Sequence, residues 1–456
     1  MAERNSNSTL AVLFAGVLLA ALDIAIVGPA LPAIRQTFLL DGRDLSWVFN
    51  IYILFSLIST PLMAKLSDRH GRRTVYTGCL GAFAAGSLIV GAAPTFEVLL
   101  MGRVVQACGA GGLLPVAAAV IADTFPPERR GRALGLIGAV FGIAFVLGPV
   151  LGGLLLGFGW RWLFLINVPA VAVVIAASLR LLPRAGRASR APFDWPGALV
   201  LTVMLAGLAW GLGQLDADQP AASLLSLGSL PFVVALLLAA LVFWRVELRS
   251  ADPVLHPDLF RSPQLRVVGA IAVAIGLVEA SMVFLPSFSV SAFDVSESTA
   301  SFMMLPLVAT LIVGAPAAGR LLDRIGAKPV IQLGLLLTVT GLFLFALLPL
   351  TRLNFYGAGV CVGFGLSGLL GAPLRYVALK EAGPERKGAG QGLLTLFLST
   401  GRIVGASVIG GVVASGANEL SGYREALLYL AIIGAFAFGI SFRLDRSTRR
   451  RVRSRA

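Results

Sequence analysis

Long apolar runs alternate along this chain with short polar clusters, and each run is near the ~20 residues that a helix needs to cross a bilayer. Fourteen runs fall at approximately 9–34, 45–66, 74–93, 96–121, 132–157, 160–182, 195–215, 224–246, 266–292, 299–321, 328–349, 353–379, 388–414 and 424–443. They lack the alternation of short segments that marks an outer-membrane barrel, so each predicts a helix. In hydrocarbon a helix satisfies its backbone N–H and C=O groups within its own segment, so the expected fold class is an all-α membrane protein. The first run continues through Pro29 and Pro32 without a small-residue cleavage site, and reads as a retained span rather than a signal peptide.

Composition supports this class. The 456 residues are 57% hydrophobic and only 13% charged, against about 25% charged in soluble domains. So few ionic groups cannot cover a soluble surface of this size. The net charge of +14 sits between the apolar runs, which is the signature of membrane topology and not of a nucleic-acid binder. Of the 37 Lys and Arg, 29 lie in one set of connections and the two termini, and five (Arg35, Arg43, Arg161, Arg352 and Arg424) in the other. That bias places both termini in the cytoplasm. Cys79, Cys108 and Cys361 all lie in apolar runs and read as buried free thiols. No Cys/His cluster suggests a metal, and His70 and His256 fall in polar connections.

The chain looks duplicated. Ala64-Lys-Leu-Ser-Asp68-Arg69-His-Gly71-Arg72-Arg73 matches Gly319-Arg-Leu-Leu-Asp323-Arg324-Ile-Gly326-Ala-Lys328 at an offset of 255. Pro127-Glu-Arg-Arg-Gly131 matches Pro384-Glu-Arg-Lys-Gly388 at an offset of 257. Two matches in the same order divide the chain into a six-helix bundle at 1–190, two inserted helices at 191–262, and a second six-helix bundle with a basic tail at 263–456. Parallel repeats in a membrane protein point to a transporter with its site near mid-membrane. In each loop, Gly permits a tight reversal and Asp can pair with Arg or a helix N-terminus. Asp68, Arg69, Gly71, Arg72, Asp323, Arg324 and Gly326 are therefore candidates for a lock that breaks when the conformation changes. A plain positive-inside loop is the alternative, and the recurrence favours the lock.

With these motifs in view, the sequence resembles the major facilitator superfamily over nearly its whole length. The loop at 64–73 resembles that family's signature, with Ala64 where Gly is usual. Arg103-Val-Val-Gln106 resembles its fourth-helix motif, with Ala107 in place of Gly. Gly135, Gly148-Pro149 and Gly152-Gly153 resemble the fifth-helix antiporter motif, with Ala144 replacing one Gly. Leu22-Asp23-Ile-Ala-Ile-Val27 and Trp160-Arg-Trp-Leu-Phe-Leu-Ile-Asn167-Val-Pro169, with the two inserted spans, resemble the fourteen-helix drug:proton antiporter branch. The resemblance implies two bundles in a pseudo-twofold arrangement, alternating access, and a bacterial plasma-membrane location. It also implies a proton gradient as energy source with no bound cofactor or metal, and a monomer whose partners are protons, membrane lipids and a small hydrophobic or lipid-like substrate. Apart from the family, Gly148-Pro149 interrupts the helical hydrogen-bond ladder while nearby glycines let helices approach, so a hinge or a close-packed seam are both open.

The charges within spans mark candidate chemistry, because a charge in hydrocarbon is expensive. Asp23 lies in the first span and Glu279 in the ninth, the first of the second copy. Burial raises a carboxyl pKa and a nearby Arg lowers it, so a carboxyl caught between the two can load and release a proton. Glu279 is the expected principal coupling acid, with Asp23 as a second proton site or the partner of Arg103; static ion pairs are the alternative. Arg103 and Gln106 share one face of the fourth span, since i and i+3 are neighbours on a helix. Arg402 is placed to counter Glu279 or hold an anionic substrate group, and Arg375 to join it or to snorkel. Phe284, Phe288, Phe293 and Phe302 flank Glu279 and are candidate cavity-lining residues. No Ser/His/Asp set or phosphate loop indicates an enzyme. The expectation is a proton-coupled exporter of hydrophobic or amphiphilic compounds; a lipid or glycolipid flippase and a nutrient importer are the alternatives within transport.

Overall fold

A computed structural model describes residues 2–182, 259, 261–382 and 387–445, with scattered helical positions between 200 and 245. Among the described residues the chain is helical and has no strand. Numbered in chain order, the described helices are α1 (Ala2–Phe38), α2 (Gly42–His70), α3 (Arg72–Ala92), α4 (Phe96–Thr124), α5 (Pro127–Leu155), α6 (Arg161–Leu165) and α7 (Asn167–Leu181). The second half supplies α8 (Pro263–Phe293), α9 (Glu297–Phe302), α10 (Leu305–Ile325), α11 (Ala327–Leu347), α12 (Arg352–Leu370), α13 (Ala372–Ala382), α14 (Lys387–Ser415) and α15 (Glu419–Ser441). Among the described residues eleven segments are long and apolar enough to cross a membrane, and α5 is itself 29 residues long. The expected all-α membrane fold is observed. The full count of fourteen spans is not, because the seventh and eighth, at 195–215 and 224–246, and the basic tail beyond 445 lie largely or wholly outside the described residues.

Three expected single spans are interrupted. The sixth is split at Ile166 into α6 and α7, the tenth at Met303 and Met304 into α9 and α10, and the twelfth at Gly371 into α12 and α13. The last break has a local cause. Pro373 lacks an N–H and disfavours helical backbone before it, so α12 stops at Leu370 and α13 restarts with Arg375 in its first turns.

Two compact units form. One comprises residues 1–40, 47–195 and 296–302; the other comprises 41–46, 196–295 and 303–456. Within the first, α3 packs on α4, α1 on α5, and α7 on both α1 and α3. Within the second, α11 packs on α12, α8 on α14, and α15 on both α8 and α11. The same partners recur at the same places in each half. The α8–α14 seam is close enough that a Cβ on Gly401 would stand 2.1 Å from the Val273 carbonyl oxygen, and one on Gly276 2.2 Å from that of Leu398. Small residues of this kind let membrane helices gain dispersion contact where no hydrophobic effect drives them together.

Three of the five minority arginines have local tasks at helix ends. Arg161 Nη2 donates to the Ala93 carbonyl at the end of α3 (3.1 Å). Arg424 does the same at the end of α11, from Nε to Ala346 O (2.7 Å) and from Nη2 to Leu348 O (3.3 Å). Arg35 Nε donates to Leu40 O (3.2 Å) after α1. Helix C-termini leave their last carbonyls without helical partners and carry partial negative charge, which a guanidinium satisfies. At the opposite end of α11, Lys328 Nζ donates to Phe442 O and Leu444 O, both at 2.7 Å, and ties down the end of α15.

Two glycines turn the chain between antiparallel helices. Gly71, between α2 and α3, has φ 90° and ψ 139°; Gly326, between α10 and α11, has φ 88° and ψ 172°. This backbone region is essentially closed to residues with a Cβ, at a cost of roughly 1–3 kcal/mol. Gly71→Ala and Gly326→Ala are therefore expected each to lower the thermal midpoint of the purified protein. Gly439→Ala, in open space within α15, is expected to leave it unchanged or slightly raised. Equal midpoints for all three variants would contradict the backbone argument.

Candidate functional site

The first unit encloses a polar network in its core. Asp23 from α1, Arg103 and Gln106 from α4 and Ser87 from α3 are all fully buried, and Asn167 at the start of α7 nearly so. Arg103 Nη1 donates to Asp23 Oδ2 (2.6 Å) and to Gln106 Oε1 (2.7 Å), and its Nε donates to Val48 O (3.2 Å). Gln106 Nε2 donates to Asp23 Oδ1 (2.6 Å) and Ser87 Oγ (2.8 Å). Asn167 Nδ2 donates to the same hydroxyl (3.4 Å). The orientation of the Gln106 amide follows from chemistry, since a carboxylate only accepts and a guanidinium only donates. Arg103 Nη2 has no hydrogen-bond acceptor among the described residues. The guanidinium instead lies 4.2 Å from the centre of the Tyr52 ring and 5.8 Å from that of Phe164, where the ring faces attract the cation. The i, i+3 spacing of Arg103 and Gln106 brings both groups to the one carboxylate.

Sequence reasoning placed Asp23, Arg103 and Gln106 together but missed Ser87, Asn167 and Tyr52. Asn167 had a signal: it is the uncharged polar residue of the Trp160–Pro169 motif. Ser87 and Tyr52 are ordinary in an apolar run, and only the fold shows what they face.

The second unit holds a different ion pair. Glu279 of α8 and Arg402 of α14 form a bidentate pair, Nε to Oε2 at 2.9 Å and Nη2 to Oε1 at 2.8 Å. Its side chains keep 13% and 26% of their surface exposed, whereas Asp23 and Arg103 have none. Arg375, exposed on α13, lies within electrostatic reach of both Arg402 and Glu279. Glu279 follows Asp23 by 256 residues, between the two repeat offsets, so the acids occupy equivalent positions. Their bases do not. Arg103 comes from the fourth helix of its unit, while Arg402 comes from α14, the counterpart of α5.

The duplicated loops also diverge. In the first, Arg72 pairs with Asp68 and, through Nε, with Asp123 of α4 (3.0 Å), and Nη1 donates to Ser67 Oγ (2.7 Å); Arg69 is exposed. In the second, Ala327 replaces the pairing Arg, and Asp323 and Arg324 are exposed with no ion pair among the described residues. A matching lock was expected in both loops; this conformation has the pairs in one only. The fifth-helix motif forms a seam. The helix runs unbroken through Pro149, a Cβ on Gly148 would lie 2.6 Å from Ala25 Cβ, and one on Gly152 2.7 Å from Pro29 Cβ. Gly153 packs against Phe302, and Ser301 Oγ donates to Pro149 O (2.8 Å).

Of the aromatics expected to line a cavity beside Glu279, Phe288 and Phe293 pack ring on ring within the second unit. Phe284 and Phe288 are buried, Phe288 stacks among Phe345, Phe355 and Tyr423, and Phe293 packs on Phe355. Phe302 belongs to the first unit. Ring-on-ring packing satisfies these faces better than an open cavity.

Comparison with known proteins agrees with the helical pattern. A family model described as the Major Facilitator Superfamily matches residues 13–406 and 270–456. An uncharacterized MFS-type transporter, YfiU of Bacillus subtilis, is 33% identical over 429 residues, covering 90% of this chain and 82% of that protein. The tetracenomycin C resistance and export protein of Streptomyces glaucescens is 31% identical, covering 90% and 77%. The multidrug transporter protein MdtP of Bacillus subtilis is 30% identical, covering 92% and 78%. Among solved structures, the nucleoside transporter NupG is similar with a TM-score of 0.68 and 15% identity, covering 96% of this chain and 99% of that one.

Removing one partner of a buried pair strands the other charge, at a cost of about 3–5 kcal/mol. Asp23→Asn is therefore expected to lower thermal stability more than Glu279→Gln, whose Arg402 keeps access to water. An equal or smaller loss for Asp23→Asn would contradict the sealed network.

Proposed function

This chain belongs to the major facilitator superfamily, and we propose that it is a proton-coupled exporter of hydrophobic or amphiphilic compounds that works by alternating access. It is an integral multi-pass membrane protein, and its family moves small solutes. Export is supported by relatives whose names record antibiotic resistance and multidrug transport. Coupling through Glu279 rests on one observation. The two equivalent carboxylates differ in access, since Glu279 and Arg402 are partly exposed while Asp23 and Arg103 are sealed. A coupling acid must exchange protons with water and must have its charged form held by a partner that can be withdrawn. The partial exposure of Glu279 and its pairing with a partly exposed Arg402 support this reading. Asp23, which accepts one hydrogen bond from Arg103 and one from Gln106, is the static counterpart that keeps α1, α3 and α4 in register.

The duty of Arg402 follows from the same geometry. With Glu279 charged, the bidentate pair neutralises both groups. With Glu279 protonated, a guanidinium and the neighbouring Arg375 lose their counter-ion, and the local charge changes by one unit. That step biases the α8–α14 seam, where α8 and α14 are in backbone contact.

Everted vesicles with an acidic interior and a labelled amphiphilic dye test the reading. The wild-type chain is expected to accumulate dye, and Glu279→Gln to exchange it downhill without accumulating it. Full gradient-driven accumulation by Glu279→Gln would overturn the assignment.

A further inference from the structure

An apolar groove of about 260 Å³ runs between α10, α11 and α12 of the second unit, lined among others by Ala317, Leu321, Leu333, Gly334, Phe364 and Gly368. Its polar element, the Ser367 hydroxyl, is turned back onto Phe364 O at 2.7 Å and offers nothing to a polar ligand. The groove exists because small residues line it where bulkier ones would fill it. Leu333 and Phe364 stand exposed at its rim, 45% and 40%, so the groove opens on an apolar surface within the spanning segments.

At one end the character changes. Arg324 follows Leu321 by three residues and Arg320 precedes Arg324 by four, so both lie on the flank of the groove-lining stripe of α10, about 4.5 Å beyond Leu321 for Arg324. Both side chains are exposed and neither forms an ion pair among the described residues. Asp323 is roughly 200° round the helix from Leu321, on the far side. An apolar trough that ends in two unneutralised guanidinium groups is complementary to an acyl chain joined to an anionic head group. The planar fork of Arg suits a phosphate in particular, through paired N–H donors.

We propose that this groove and the Arg320–Arg324 pair form a seat for one anionic diacyl phospholipid, with an acyl chain between α10, α11 and α12 and the phosphate on the two arginines. The same loop that in the first copy pairs Asp68, Arg72 and Asp123 carries Ala327 here, and its Arg320 and Arg324 are exposed with no ion pair among the described residues. The seat lies apart from Glu279 and Arg402, and its occupancy is independent of the transport reading.

Native mass spectrometry of the purified full chain, delipidated and then titrated with phosphatidylglycerol or phosphatidylcholine, measures it directly. One phosphatidylglycerol is expected to bind with about a tenfold or greater preference, the scale of two basic residues at a membrane surface. Arg320→Gln/Arg324→Gln is expected to abolish the preference while keeping weak binding of both lipids. Ala317→Trp, which adds bulk at an exposed lining position, is expected to weaken both lipids alike. The arginine variant, changed only at exposed positions, decides the matter if the tryptophan variant does not express. Equal affinity for the two lipids, a preference that survives in the arginine variant, or a dimer of the chain in place of the lipid adduct would overturn the seat.

Discussion

In hydrocarbon, no polar group can turn to water, so each must find its partner inside the protein. That constraint organises this molecule at every scale. It makes the spans helical, and it sends Arg161 and Arg424 to the carbonyls at the ends of α3 and α11. Arg103 shows its full force. A guanidinium with no exposed surface is met by a carboxylate, an amide, a backbone carbonyl and the faces of two rings. Four helices, α1, α2, α4 and α6, contribute to its surroundings. Moving α1 or α2 away from α4 would break a charge-assisted contact in a medium of low dielectric.

The duplication gives this constraint two solutions. Acids stand at equivalent places on α1 and α8, yet one is paired from α4 and sealed, while the other is paired from α14 and left in partial contact with water. A sealed pair is a rigid element, whereas a partly exposed pair is cheaper to open, because water compensates each charge as they separate. The proposed coupling role of Glu279 rests on this asymmetry between a sealed pair and a partly exposed one. The loops repeat the theme: Arg72 is committed to two acids, and its counterpart Ala327 to none.

Much of this was legible beforehand, for physical reasons. Spans were readable because a bilayer fixes the length of an apolar helix, and Asp23, Arg103, Glu279 and Arg402 were readable because charge in hydrocarbon needs a purpose. The positive φ of Gly71 and Gly326 followed from a tight reversal between antiparallel helices. Other features depend on what lies across an interface. The i, i+3 rule put Gln106 beside Arg103, but nothing in the local sequence placed Ser87 or Tyr52 against them. Flanking position suggested that Phe288 lined a cavity, whereas its ring packs into an aromatic core. The break at Gly371 was hidden because Pro373 sits inside a run long and apolar enough to read as one span. Three of the five minority arginines, Arg35, Arg161 and Arg424, looked like exceptions to a charge rule until their carbonyl partners were seen.

The central claim is that proton exchange belongs to Glu279 and not to Asp23. Infrared titration of the protein in lipid bilayers reads this directly, through the carbonyl stretch of a protonated carboxyl in a low-dielectric site. The account predicts a pH-dependent band of this kind that vanishes in Glu279→Gln. The same band persisting in Glu279→Gln would contradict it.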